Sequence, residues 1–422
     1  MFNPALIIQP FLSYRWQWGP STPTESFNTP SIFFGCLEVL AQNEGNKVKS
    51  EEVYQGLLKV ENDLKINSPK LARSKERNLF RNSGQYWKNL GLIEATSPEI
   101  KLTKLGRAYI NGDITKSEFS CQIIKSLSFP NRNSDHPNIQ KKWDEHSICI
   151  KPLEYLLEII LILFNTSKDE GYLTGRELTK IVIPLSGNKF TPQDTSKIIF
   201  DYRKNNSILN GAWDAQIGSN DNRIAREFLL FLHHYGFLEV RDSRNNKKTN
   251  QNQEFFLIDC KANVVSTLLD VDHELISKNN DEVTSSIIID KKISIAEVLR
   301  ERKTVEILSR PNQAKFRKDV LDAGAGICLL SGVTTPDVIQ ACHIVQVKDN
   351  GNDDVSNGLL LRVDLHTLYD NGHIRILDNG VVKLSTYLKE DPFYGKTIPS
   401  KVEIPKYVNL DALRLRNAYN IY

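Results

Sequence analysis

Apolar residues along the chain change their spacing from stretch to stretch, and each spacing predicts a different element. Residues 1 to about 30 show no period. Pro4, Pro10, Pro20, Pro23 and Pro30 recur there, a density that prevents long helix. Ser31 to Gln42 carries apolar residues at helical spacing. Ser50 to Asn62 predicts a second helix, with Ser50 as cap and Glu51 and Glu52 in its first turn. Phe80, Tyr86, Trp87 and Leu90 lie among cations in a third, which Gly91 ends. L-I-E-A and I-K-L-T, joined by Thr96-Ser97-Pro98, read as two short strands, and Leu105 to Ile110 as a closing helix.

The plan then repeats. Leu153 to Phe164 is an apolar helix, and T-G-R-E-L-T-K-I-V starts another at a Thr174 or Gly175 cap. Thr191 to Asn205 and Asp221 to Tyr235 are helical, with Gly236 as the stop. F-L-E-V-R and E-F-F-L-I flank a polar tip from Asp242 to Gln253. Helices followed by a small hairpin are the outline of a winged helix, which the run N-S-G-Q-Y-W-K-N-L-G-L-I also resembles. Ser266 to Asp290 reads as a linker and Ile293 to Leu308 as an amphipathic helix. Beyond it, Q-A-K-F-R-K-D-V-L is helical, and Ile327 to Leu330 and Ile339 to Val347 predict strands. Lys348 to Ser356 is too rich in turn residues for either element, and Leu359 to Tyr369 predicts a helix stopped by Asn371-Gly372. The expected fold class is therefore α+β and multidomain. Two winged-helix-like units, 1–145 and 146–265, precede a linker and helix, 266–300, and a compact C-terminal domain, 301–422.

Charge refines this picture locally. A net charge of +3 selects no partner, but the stretch from Lys65 to Lys88 holds seven cations against the single acid Glu76. Lys70, Arg73, Lys75, Arg77, Arg81 and Lys88, interleaved with aromatics, are the expected contacts to double-stranded DNA. The plainer alternative is a solvated helix face. The six cysteines form no C-x-x-C pair, which argues against a zinc ribbon or a disulfide-stapled domain. Leu153 to Phe164, roughly a dozen residues with Glu154 and Glu158 inside, is too short and too charged to span a bilayer. The N-terminus lacks the basic start and long apolar core of a secretory signal. A cytoplasmic protein without a membrane partner is expected. There is no G-x-x-x-x-G-K-[ST] and no G-x-S-x-G. Glu99-Ile100-Lys101 has the E-x-K form of another nuclease class but no upstream acid to join it.

Reactive residue types concentrate between Gln340 and Gly372. His343 sits near the end of a predicted strand, where an imidazole can take a proton from water. His366 and Asp370 are four residues apart and share one helix face, a plausible divalent-metal pair. Asn357 lies between them and is placed to brace the loop and hold the imidazole. A base beside a metal suits phosphodiester hydrolysis. The plainer alternative is a core histidine, a surface histidine and an Asp-Asn-Gly helix stop. The adjacent His233 and His234 face different sides of a helix and read as structural, as does His373.

The segment from about Arg310 to Ile376 resembles the H-N-H endonuclease family with its ββα-metal core. The resemblance is carried by A-C-H-I and by N-G-L-L-L-R-V-D-L-H-T-L-Y-D-N-G, with R-P-N-Q-A-K-F-R-K-D-V-L and C-L-L-S-G upstream. It implies His343 as general base, Asn357 as the central structural asparagine and His366 as metal ligand. Asp370 falls where colicin-type members place a second helical ligand. The implied cofactor is a divalent metal, Mg²⁺ or else Mn²⁺. One departure stands out: Cys342 occupies the place before the base, where many members carry Asp or His, and thiolate is a poor ligand for Mg²⁺. Asp364 is a candidate substitute ligand, but two residues from His366 on a helix it faces elsewhere; Arg362, one turn before His366, is a candidate phosphate contact, with a structural salt bridge as the plainer alternative. The architecture resembles restriction endonucleases, so a site-specific DNA endonuclease is expected, dimeric when it cuts both strands. The alternatives are a phage-defence or modification-dependent nuclease, and a DNA-binding regulator with an inactive nuclease domain.

Overall fold

The computed structural model describes residues 4–17, 29–66, 70–74, 78–95, 97–132, 134–215, 221–241, 250–269, 313–346 and 351–419. The helix expected over 293–308, most of the linker before it, and Lys75 and Arg77 lie outside the described residues.

In the N-terminal part, helices α1 (Pro30–Gln42), α2 (Glu51–Asp63), α3 (Phe80–Asn89), α4 (Lys104–Asn111), α5 (Lys116–Ser126) and α6 (Pro137–Glu145) lead to α7 (Pro152–Thr166). Their starts follow local chemistry. Ser50 accepts a bond from the Val53 amide, and Thr115 forms a reciprocal capping box with Glu118. In place of the two expected strands after α3 there is one isolated bridge, Ile93 to Leu102. Strand β1 (Tyr172–Thr174) follows α7, then a helical segment over 175–187, α8 (Pro192–Lys204) and α9 (Asp221–His234). The hairpin β2 (Leu238–Arg241) and β3 (Glu254–Leu257) joins β1 in an antiparallel sheet of order β1-β3-β2. Helix α10 (Ala262–Leu269) closes this part.

A continuous hydrophobic cluster runs from Ile7 to Leu268, across the boundary expected near residue 145. The proline-rich N-terminal segment takes part in it. Tyr14 and Trp16 are buried, and Tyr14 donates to the Ile183 carbonyl. Lys125 of α5 and Glu154 of α7 form a buried ion pair at 2.7 Å inside the same mass.

A second cluster, Phe316 to Leu413, belongs to the C-terminal unit. Helix α11 (Gln313–Ala323) covers an antiparallel pair of β4 (Ile339–His343) and β5 (Gly358–Arg362), and α12 (Val363–Asp370) follows directly. Strands β6 (Ile374–Ile376) and β7 (Val382–Leu384) form a small hairpin, and α13 (Leu410–Tyr419) is last. Two expectations are corrected here. Leu359 to Arg362 is strand, and the helix begins only at Val363. Gly358 to Leu361 is buried throughout, because β4 lies beside it and other apolar groups cover its faces; a run buried that way pairs well as strand. Ile327 to Leu330 is a turn, in which Gly332 donates to Cys328 and Leu329 to the carbonyl of Leu360. The order is thus strand, loop, strand, helix.

Gly358 permits the close packing. A Cβ built on it would lie 2.3 Å from Val320 Cγ2, so only glycine lets α11 rest on β5 at this point. The two parts touch as well. Helix α13 packs on α1, the Thr386 amide donates to the Asp113 carbonyl, and Lys389 stands 3.6 Å from Asp113.

The Lys125–Glu154 pair yields a test. Lys125→Met takes its closer cation from a buried carboxylate and leaves it the Lys151 ammonium at 3.2 Å, and about 3 kcal/mol of stability should be lost. Denaturant unfolding measures this, and Lys125→Met with Glu154→Leu should recover most of it, since no charge is then stranded.

Candidate active site

The site gathers at one end of β4. His343 is its last residue and pairs across the ladder with Gly358. Its ring stacks on Phe316 of α11, with centroids 3.8 Å apart and planes 10° from parallel. Its Nε2 lies 2.9 Å from Asp353 Oδ1. An ionised carboxylate only accepts, so Nε2 carries the hydrogen and Nδ1 keeps its lone pair; the tautomer is assigned from this partner. The histidine and aspartate side chains are 18% and 27% exposed, open enough to meet a substrate.

Asn357 is buried at the end of a short 3₁₀ turn just before β5. Its Oδ1 accepts from the Val345 amide at 2.9 Å, and its Nδ2 donates to the carbonyls of Val345 and Asn352, each at 2.8 Å. It ties the chain leaving β4 to the chain returning into β5. Its side-chain bonds go to backbone, and Asp353 and Phe316 hold the imidazole.

Strand alternation sends Cys342 to the other side of β4, with Gln340 two residues before it. That side meets α12. Cys342 Sγ, a histidine nitrogen of His366 and a carboxylate oxygen of Asp370 lie within 4.8 Å of one another. His366 Nε2 is 3.4 Å from Asp370 Oδ2, and Cys342 Sγ is 4.0 Å from Asp370 Oδ1. His366 Nδ1 is 2.8 Å from Gln340 Oε1. An amide oxygen only accepts, so Nδ1 carries a hydrogen, and Nε2 is the nitrogen that faces the cluster and can ligate once it gives up its own proton. Burial disfavours charge on His366, but the Cys342 sulfur and the Asp370 carboxylate outweigh it and hold the imidazole well above the usual histidine pKa. Positive charge is therefore favoured at this point. Sulfur, nitrogen and oxygen donors converging here fit a divalent cation, and three protein donors leave positions open for water or substrate.

Arg416 of α13 anchors both halves. Its guanidinium donates to the carbonyl of Ile344, next to His343, at 2.8 Å and to that of Tyr369, next to Asp370, at 2.6 Å. It also lies 3.7 Å over the Tyr369 ring.

The other sequence candidates fall elsewhere. Arg362 donates from Nε and an Nη to the two oxygens of Asp364, each at 2.7 Å, and Tyr394 donates to the same carboxylate. Both residues are thereby occupied with one another, and Asp364 is not among the converging donors. Lys70 is exposed and donates to the Ile66 carbonyl, and Arg73 is exposed and donates to that of Lys70. Lys88 is half-buried and donates to Ala95. Arg81 lies on α3, but its side chain, with Lys75 and Arg77, lies outside the described residues. His233 bonds to the Leu238 carbonyl, and burial beside His233 pushes His234 down to about 4. His373 bonds to Ser385.

Sequence reasoning missed Asp353, Gln340, Phe316 and Arg416. Gln340 was within reach, since it is two residues from Cys342 on a predicted strand and so shares its face. Asp353 had no local mark to separate it from Asp349 and Asp354 in the same loop.

Residues 328–376 match a family model described as HNH endonuclease, so the C-terminal region carries an HNH endonuclease domain, which supports nuclease activity in the broad sense. No curated protein matches the chain significantly in sequence. Among solved structures, one similar chain is the BpuJ1 endonuclease binding domain, in a crystal structure with pyrene- and phenanthrene-modified DNA. It is 12% identical, the match covers 62% of this chain and 87% of that one, and the TM-score is 0.43. Among the described residues no helix is long and apolar enough to cross a membrane.

Asn357→Ala should remove the three side-chain bonds that brace the loop and take from the buried Val345 amide its Oδ1 acceptor. A loss of about 2–3 kcal/mol is expected in unfolding of the C-terminal unit. Limited proteolysis should then cut first between residues 344 and 357.

Proposed function

We propose that this protein is a metal-dependent DNA endonuclease, and most specifically a site-specific restriction endonuclease. The observation that carries the reading is the pairing of a carboxylate-held histidine, His343–Asp353, with a cluster of metal donors, Cys342, His366 and Asp370, at one end of β4.

His343 is the general base. Its Nδ1 lone pair accepts a proton from the attacking water. Asp353 fixes the tautomer that leaves this lone pair available and stabilises the imidazolium that forms. Phe316 limits rotation of the ring. His366, Asp370 and Cys342 would hold the cation, with Gln340 keeping His366 Nε2 aimed at it. When bound, the cation supplies charge neutralisation at the phosphate and the leaving oxygen. Asn357 keeps the two strands and their loop in register for these roles.

DNA is read by the N-terminal part. Its second unit runs helix, strand, helices and hairpin, with sheet order β1-β3-β2, which supports a winged-helix-like reading. In the first unit, Lys70 and Arg73 are exposed in the basic stretch and suited to phosphate contact. A phage-defence or modification-dependent nuclease would use the same centre on a different recognition site. A regulator with an inactive domain is disfavoured, because the histidine, its carboxylate partner and the donor cluster are all in place.

Incubation of supercoiled plasmid with the purified chain and Mg²⁺, Mn²⁺, Co²⁺ or Zn²⁺ tests the reading. Wild type should nick or linearise the plasmid, and His343→Ala should be about 10²–10⁴-fold slower with DNA affinity unchanged. Binding without cleavage under every ion would sink it. Asp353→Asn keeps an acceptor but removes the charge. It should lower kcat by at least about tenfold with little change in KM, read by single-turnover and steady-state cleavage.

A further inference from the structure

Of the three converging donors, one is sulfur. Mg²⁺ prefers oxygen in near-octahedral geometry, keeps several waters and gains little from thiolate. Zn²⁺ and Co²⁺ accept sulfur, imidazole and carboxylate together. We propose that Cys342 makes this centre selective for a sulfur-accepting divalent ion of the zinc type over magnesium. The inference deepens the nuclease reading and concerns the same site.

The geometry supports it in three ways. Metal–ligand lengths of about 2.3 Å to sulfur, 2.0–2.1 Å to nitrogen and 2.0–2.2 Å to oxygen, at tetrahedral angles, place nitrogen and oxygen about 3.4 Å apart and sulfur and oxygen about 3.6 Å apart. His366 Nε2 stands 3.4 Å from Asp370 Oδ2 and Cys342 Sγ 4.0 Å from the other oxygen, Oδ1, and one donor atom from each of the three residues lies within 4.8 Å of the others, so one ion can draw all three in by side-chain movement. Gln340 orients the imidazole through Nδ1, as a supporting partner of a ligating histidine does. Finally, the oxygen ligand that would restore a hard donor set is taken elsewhere. Asp364 is bound by Arg362 and Tyr394.

The test uses the full chain, stripped of metal with a chelator and titrated with Co²⁺. A near-ultraviolet sulfur-to-cobalt charge-transfer band with the visible bands of four-coordinate cobalt is expected. Zn²⁺ should abolish it at stoichiometric amounts, while a large excess of Mg²⁺ should not. Cys342→Ser should lose the band and bind Zn²⁺ at least about hundredfold more weakly, since even supporting partners of ligands are worth 10–100-fold. Cys342→Asp, with hard donors only, should lose the band and gain affinity for Mg²⁺ and Mn²⁺. Circular dichroism of each metal-free variant reports folding; if Cys342→Ser fails to fold, the wild-type spectrum and Cys342→Asp decide. No band in wild type, a band that persists in Cys342→Ser, or equal affinity of wild type for Zn²⁺ and Mg²⁺ would overturn the inference. Plasmid cleavage separates the two readings. Cleavage in Mg²⁺ without the band removes the ion selectivity and leaves the nuclease. The band without cleavage under any ion removes the nuclease and leaves the metal site.

Discussion

The carboxamide of Asn357 is the constraint on which the site depends. A loop leaves β4 and returns into β5, and its polar backbone has no ladder to satisfy it. One side chain accepts from Val345 and donates to Val345 and Asn352, which closes the loop over a short distance. Asp353 lies one residue beyond Asn352, and His343 two residues before Val345. Closing the loop therefore brings the carboxylate to the imidazole. Buried backbone groups need partners, and here meeting that need also builds the site.

Strand β4 then sorts the chemistry by alternation. His343 stacks on Phe316 of α11, while Gln340 and Cys342 face α12 and its His366 and Asp370. His343 and the donor cluster thus start from adjacent residues yet have separate surroundings, the first against Phe316 and Asp353 and the second against Gln340 and α12. Arg416 reaches in from the last helix and holds the backbone at both ends of this arrangement. Its helix also packs on α1, so the same element that steadies the site joins it to the N-terminal mass.

Much of this was written in local pattern. Helix caps such as Ser50 and Thr115 act within a few residues, and their partners are where the spacing puts them. His366 and Asp370 share a face because a helix has a fixed period, and Asn357 stands at the turn its neighbours require. The order of the reactive residues therefore pointed to the right segment, and the family match falls on it.

What the tertiary structure decided involves pairs distant in sequence. Leu359 to Arg362 has apolar character that suits either helix or strand; β4 beside it made it strand. Cys342 read as a missing ligand, and the packing of β4 on α12 brought its sulfur among the donors. Asp353 and Arg416 carry no local mark, and each acquires its place from a partner 10 or more residues away. By itself the sequence determined the elements, their caps and the residue types available for chemistry, because those follow from short-range sterics and hydrogen bonding. Which atoms meet was decided only in the folded chain, where burial selects among partners that look equivalent along the sequence.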